Sequence, residues 1–342
     1  MRQRNRKIIN GLSSMPAKKQ PVIAQQDSSR VTLFHLRTYL GIFIFSMFFL
    51  FYPGDSRYMR LFSQQRSLFA TAPTPVRDYP IDPIPYVVST IPTPFTTAQG
   101  VYVIDLKTAT PLYEKNPHGH LFPASTTKVI TALTAMDMYT LDQVLTVRRV
   151  VDEGQTMGLV QGERITFENL LYGTLVQSGN DAAYVLADNY PRGYSAFIDA
   201  MNQKARSLGM DDSNFQNPAG LDNALQRSSV FDLSLAGREL LKNGTLAKIV
   251  SIKSITVSDV DYVHFHPLQN VNRLLGEIPG VAGLKTGKTD LAGENLITLY
   301  KYRNKEYLIV LMKSEDRFLD TTALVTWIQN AVNYQDPQEI QK

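Results

Sequence analysis

The run Lys285-Thr286-Gly287-Lys288-Thr289 overlaps two motifs that serve unrelated chemistries. Gly287-Lys288-Thr289 could close a phosphate-binding loop, whereas Lys285-Thr286-Gly287 could be the third motif of a serine acyl-transfer site. A phosphate loop needs a glycine five positions before Gly287, so that backbone N–H groups can wrap the phosphates. That position is Ala282, and the nearest glycines, Gly280 and Gly283, give the wrong spacing. Only about 50 residues follow, too few for the rest of a nucleotide-binding domain. The acyl-transfer reading needs partners upstream, and they are present.

Ser125-Thr126-Thr127-Lys128 is a Ser-x-x-Lys at the expected start of a helix, and Ser178-Gly179-Asn180 is a Ser-x-Asn between two expected helices. Residues three apart share a helix face, so the Lys128 amine can reach the Ser125 hydroxyl. A serine hydroxyl is a weak nucleophile, and a lysine can take its proton only if burial or a neighbouring cation lowers the amine's pKa. Lys285 is the obvious neighbouring cation. Alone, each motif is as well read as a helix cap with a solvated lysine, a loop or a turn. In this order, roughly 50 and 110 residues apart, they form the three-part signature of serine acyl transfer.

The elements that must carry these residues can be read from periodicity. "GVYVIDL" and "TPLYEK" alternate apolar and polar residues around a turn and predict a hairpin. "STTKVITALTAMDMY" predicts a buried helix, followed by helical patterns in "TFENLLYGTLV", "DAAYVLADNY", "YSAFIDAMNQKARSLGM" and "SVFDLSLAGRELLKNG". Strands return in "VAGLKTG", "NLITLYKYR" and "EYLIVLMK", the last two as a hairpin across Arg303-Asn304-Lys305, and "FLDTTALVTWIQNAVNY" predicts a closing helix. Strands at both ends with helices between imply a mixed α/β (α+β) domain: an antiparallel sheet completed by late strands, with a helical insert beside it.

The 342 residues divide unevenly in charge. Residues 1–38 carry eight basic side chains against one acid, a net of +7, so residues 39–342 carry −3 of the chain's +4. The body therefore shows no bulk charge suited to nucleic acid. The expected organisation is a basic cytoplasmic tail (1–32), a transmembrane anchor (33–52), a proline-rich spacer (53–97), a catalytic domain (98–334) and a short tail (335–342). The anchor rests on the apolar run Tyr39–Tyr52, extended back to Leu33, with basic residues on its N-terminal flank. A cleaved signal peptide is the competing reading, but the leading segment is long and no small-x-small site closely follows the run. The chain has no cysteine, which excludes disulfides, thiolate catalysis and cysteine-ligated metals. Two His-x-His pairs, His118/His120 and His264/His266, raise the question of a metal; without a carboxylate pattern beside them, surface or packing roles are expected.

Beyond the three motifs, "FPASTTKVITAL", "ITFENLLYGTLVQSGNDAAYVLA", "FQNPAGLD", "NRLLGEIPGVAGLKTGKTDLAGENL" and "EDRFLDTTALVTW" resemble the serine D-alanyl-D-alanine carboxypeptidases, the low-molecular-mass penicillin-binding proteins of the serine β-lactamase-like superfamily. The resemblance covers about Gly100 to Trp327. It implies that Ser125 forms the acyl-enzyme, that Lys128 accepts its proton and that Ser178 relays a proton to the leaving D-alanine. Asn180 would bond the substrate amide and Lys128, and Lys285, Thr286 and Arg317 would face the terminal carboxylate. The backbone N–H groups of Ser125 and Lys288, beside Gly287, would form the oxyanion hole. No metal or cofactor is implied; the implied partners are peptidoglycan stem peptides, β-lactams as inhibitors and, through the anchor, the bacterial cell membrane, with the catalytic domain outside it.

The sequence departs from that pattern in two places. The residue after Lys-Thr-Gly is Lys288, where His, Tyr or Phe is commoner; the backbone N–H survives, while pocket shape and rate are open to change. Many such carboxypeptidases continue into a β-rich second domain and an amphipathic helix, which this sequence lacks after the closing helix, so the N-terminal segment is expected to do the anchoring. A class A β-lactamase would need a glutamate between the second and third motifs to activate the deacylating water. None occurs between Asn180 and Glu239, so slow deacylation is expected. A D-Ala endopeptidase, and a non-catalytic penicillin-binding sensor or wall-binding module, are the alternatives carried forward.

Overall fold

The computed structural model describes residues 28–51 and 82–335, in two units divided between Tyr79 and Pro80. The basic tail up to residue 27, the spacer from 53 to 81 and the last residues, 336–342, lie outside the described residues. The first unit contributes helix α1 (Ser28–Phe51), on which Leu36, Tyr39, Leu40, Ile42, Phe43, Ile44, Phe45, Met47, Phe48 and Leu50 are exposed. Among the described residues no helix is long and apolar enough to cross a membrane. The transmembrane expectation for 33–52 is therefore not supported here. The 14-residue apolar core would rise only about 21 Å as a helix, against a hydrocarbon core of about 30 Å.

In the second unit a five-stranded antiparallel sheet has the order β3-β2-β10-β9-β8. Its strands are β2 (Gly100–Asp105), β3 (Pro111–Lys115), β8 (Val281–Thr289), β9 (Gly293–Tyr302) and β10 (Lys305–Ser314). The two expected hairpins, β2–β3 and β9–β10, form as read. Strand β10 lies between β2 and β9 and is buried on both faces, which explains its unbroken apolar run. Tyr307, Ile309 and Leu311 join Leu324, Val325, Trp327 and Ile328 of helix α8 (Arg317–Ala331) in one core. Leu308, Val310 and Met312 join Leu233, Ala236 and Leu240 of helix α6 (Val230–Lys242) in the other. The period of two in a strand sends alternate residues to opposite faces, so one sequence serves two cores.

The second core continues into the helical region: α2 (Lys128–Met136), α3 (Phe167–Leu175), α4 (Asn180–Asp188), α5 (Tyr194–Ser207) and α7 (Gly244–Val250). Side-chain caps start several of these helices, Thr166 accepting from Asn169 N and Ser229 from Asp232 N. Two small two-stranded sheets border the region, β4 (Val144–Thr146) with β5 (Arg164–Thr166) and β6 (Ser254–Ser258) with β7 (Phe265–Gln269).

The sequence reading does not include β4 to β7 or α7, and two further segments differ from it. Within the stretch read as spacer, Ile84–Val87 forms strand β1, pairing antiparallel with β11 (Val332–Gln335). The closing helix accordingly stops at Ala331, and Val332 is already extended. Burial of Val332 at the β1 pairing overrides the helical pattern that "AVNY" continues.

Candidate active site

The three motifs, far apart in sequence, converge where the helical region meets β8. Ser125 lies in a 3-10 turn (Ala124–Thr127) that runs directly into α2. The Ser/Thr start was expected to suit a helix N-terminus, yet no side chain caps α2. Ser125 Oγ instead faces Lys128 Nζ at 2.9 Å. The turn is squeezed between two glycines. A Cβ on Gly287 would sit 2.9 Å from Ser125 N and 3.0 Å from Thr126 N, and one on Gly220 would lie 1.8 Å from Ala124 O. Both glycines thus permit backbone to approach the serine turn, which no side chain would allow.

Lys128 is fully buried; its amine lies against Ser125 Oγ and donates to Asn180 Oδ1 at 2.6 Å and to Ala219 O at 2.8 Å. Burial pushes this amine down to about 7, with the Asp181 carboxylate pulling the other way. Each partner is itself fixed. Asn217 Oδ1 accepts from Gly220 N and Leu221 N at 2.7 and 2.9 Å, shaping the loop that presents Ala219 O. Asn180 opens α4, its N bonded to Gln155 O and its Nδ2 to Glu153 O, both at 2.7 Å. Asp181 gathers the backbone N–H groups of Met157, Gly158, Leu159 and Ala182 at 2.9–3.1 Å. Ser178 adopts φ 64, a left-handed conformation unusual outside glycine, in the turn just before α4.

Strand β8 supplies the other wall. Lys285 is buried, donating to Ser178 Oγ at 2.8 Å and to Thr286 O at 2.9 Å. Burial, then the charges of Lys128 and Arg317, hold its amine well below the ordinary lysine value. Thr286 is buried beside it, and Gly287 O accepts from Arg317 Nη1 at 2.8 Å. Glu294 on β9 ties this wall together, bonding Lys288 Nζ at 2.9 Å and lying 3.9 Å from Arg317 Nε. Burial acts to raise its carboxyl, but the hydrogen bonds from Lys288 and the Arg317 backbone, with the charges of both residues, outweigh it and hold the group below the usual range.

All nine residues singled out in the sequence therefore surround one site. Ser125, Lys128 and Asn180 are joined by hydrogen bonds, Ser178 is joined to Lys285, and Gly287 abuts Ser125 and accepts from Arg317. Sequence reasoning missed Asp181, Asn217 and Glu294, which fix the motif residues. Asp181 had a signal, an acid in the first turn of a helix directly after the Ser-x-Asn. The histidine pairs fall elsewhere: His118 Nδ1 and His120 Nε2 lie 2.8 and 3.6 Å from Asp212, while His266 is buried against Glu163. Among the described residues no cluster of three or more His, Asp or Glu is placed to hold a metal.

An antiparallel sheet beside a helical region, meeting at a serine–lysine pair, places the fold in the DD-peptidase class. The family model described as D-alanyl-D-alanine carboxypeptidase matches residues 88–316, and the chain belongs to that family. It is 32% identical over 221 residues to the D-alanyl-D-alanine carboxypeptidase DacF of Bacillus subtilis, covering 63% of this chain and 57% of that one. It is also 32% identical over 255 residues to the D-alanyl-D-alanine endopeptidase of Escherichia coli, covering 69% and 78%. The crystal structure of the Streptomyces K15 DD-transpeptidase superposes with a TM-score of 0.66 at 28% identity, covering 69% of this chain and 98% of that one. The chain thus spans little more than half the length of its Bacillus relative.

Proposed function

We propose that this chain is a serine-type D-Ala-D-Ala carboxypeptidase acting on peptidoglycan stem peptides. The observation that carries the reading is the environment of Lys128 Nζ. Two of its three partners, Asn180 Oδ1 and Ala219 O, can only accept. A neutral amine has two N–H groups for those acceptors and one lone pair, which is left facing the Ser125 hydroxyl. Lys128 is thereby set as a base. Ser125 Oγ attacks the carbonyl carbon of the penultimate D-alanine as its proton passes to Lys128. The tetrahedral oxyanion lies at the backbone N–H groups of Ser125 and Lys288. The C–N bond then breaks, terminal D-alanine leaves with a proton relayed through Ser178, and water hydrolyses the ester. Lys285, Thr286 and Arg317 receive the terminal carboxylate, and Asn180 orients the substrate amide and Lys128. A β-lactam acylates the same serine, and the lack of glutamate between Asn180 and Glu239 leaves that ester long-lived.

The test is release of D-alanine from a synthetic peptide ending in D-Ala-D-Ala, with covalent labelling by a fluorescent penicillin, using the full chain. Ser125→Ala is expected to abolish both. Because the neutral amine is the active form, acylation should rise with pH through about 7 and fall about tenfold per unit below it. An unmodified protein that neither takes the label nor releases D-alanine would refute the reading. The similarity to an endopeptidase supports a second reading, cleavage of D-Ala cross-links by the same residues. Release from cross-linked dimers but not from the linear peptide would favour it.

We further propose that α1 anchors the chain to the bacterial membrane, with the catalytic domain outside the cytoplasm. The support is the row of exposed apolar side chains on α1 and the basic segment before it. Recovery of the full chain from the soluble fraction after cell lysis would count against this.

A further inference from the structure

His266 sits on β7 with 5% of its surface exposed, and both ring nitrogens are engaged. Nδ1 lies 3.1 Å from Met157 O, and Nε2 lies 2.8 Å from Glu163 Oε1. Glu163 is buried too, and its other oxygen accepts from Val160 N at 3.0 Å. A carbonyl oxygen can only accept, so Nδ1 carries a proton. A second proton must lie between Nε2 and Oε1, on the ring or on the carboxyl.

The segment this pair grips is the outer wall of Asn180. Glu153 O and Gln155 O bond the Asn180 side chain and backbone N–H, and Met157, Gly158 and Leu159 donate to Asp181. His266 fixes Met157 from the far side, and Glu163 fixes Val160. We infer that His266 and Glu163 form a positioning pair which, bonded to each other, to Met157 O and to Val160 N, locks residues 153–160 in place and so orients Asn180 toward Lys128. Without the ring, Met157 O and Glu163 Oε1 both lose their partner and the wall is released.

The activity readout rests on the acyl-transfer reading above, so the experiment also includes a readout that does not. Penicillin acylation rates would be measured for the full chain at neutral pH, together with amide hydrogen exchange at Met157, Gly158 and Leu159. His266→Phe removes both ring bonds and should slow acylation at neutral pH by about tenfold or more, with faster exchange at all three amides. Glu163→Gln supplies an N–H to Nε2 and an oxygen to Val160 N, reproducing both bonds without the shared proton. It should acylate within about threefold of wild type and keep the slow exchange at all three amides.

Glu163→Gln as impaired as His266→Phe would overturn the inference. So would His266→Phe indistinguishable from wild type. Should His266→Phe fail to fold, Glu163→Gln alone decides. If the wild type takes no label at all, the acyl-transfer reading has failed, and the exchange comparison still decides the positioning role.

Discussion

The helical wall of the site and the β8 wall each present a buried lysine amine, yet they hold it by different means. Lys128 is fixed by side-chain and loop contacts from three separate segments: the serine turn, Asn180 and Ala219 O. Those segments are in turn held by Asp181 and Asn217. Lys285 is carried by a strand whose backbone pairs with β9 from Leu284 to Thr289, and its amine bonds the carbonyl of the very next residue. A ladder places its residues through the main chain, whatever their side chains; a loop wall is placed by the side chains that satisfy it. The helical wall should therefore be sensitive to buried polar substitutions at a distance, and the strand wall sensitive only where the backbone itself must approach.

Removing the Asp181 carboxylate tests the first half of that contrast most severely. Asp181→Ala strands four backbone N–H groups beneath the site, which should cost about 3 kcal/mol or more of stability and slow acylation on the order of a hundredfold. Thermal melting and penicillin labelling would read the two effects; a variant that melts like wild type would mean the loop is held by something else.

On the strand wall, Gly287→Ala places a methyl 2.9 Å from Ser125 N, and neighbouring backbone must shift. Acylation should drop about tenfold with little loss of stability, because the ladder persists. An unchanged rate would show that the serine turn can move aside freely. The smallest effect is expected at Lys288, whose exposed side chain pairs with Glu294 at 2.9 Å. Lys288→Met leaves the backbone N–H in place and should alter acylation by no more than about threefold. A larger change would give that side chain a direct part in binding.

Much of this contrast was legible in the sequence, and unequally so. The strand wall announced itself: β8, β9 and β10 read as strands, and Lys285-Thr286-Gly287 lies in register on the first of them. The helical wall was legible as motifs but not as a structure. Ser125 and Lys128 three apart, and Ser-x-Asn before a helix, gave the residues. The loop 153–163 that braces Asn180 has no periodicity to read, and its clamp at His266 is 109 residues away from Met157. His266 itself was read as a surface or packing residue, since a histidine's partners are not written beside it. Strands β1 and β11 escaped because each has four residues, and Pro85 within β1 weakens any strand pattern.

The sequence alone determined which side chains could do chemistry and in what order they occur, because motif spacing, helix periodicity and strand alternation are local properties. Tertiary structure decided what those side chains became. Lys128 meets Asn180 across 52 residues and Ala219 across 91, and Lys285 meets Ser178 across 107. These contacts bury both amines, and burial is what lowers the basicity of Lys128 to about 7. Desolvation is a property of the packed surroundings, so no local stretch of residues could have stated it.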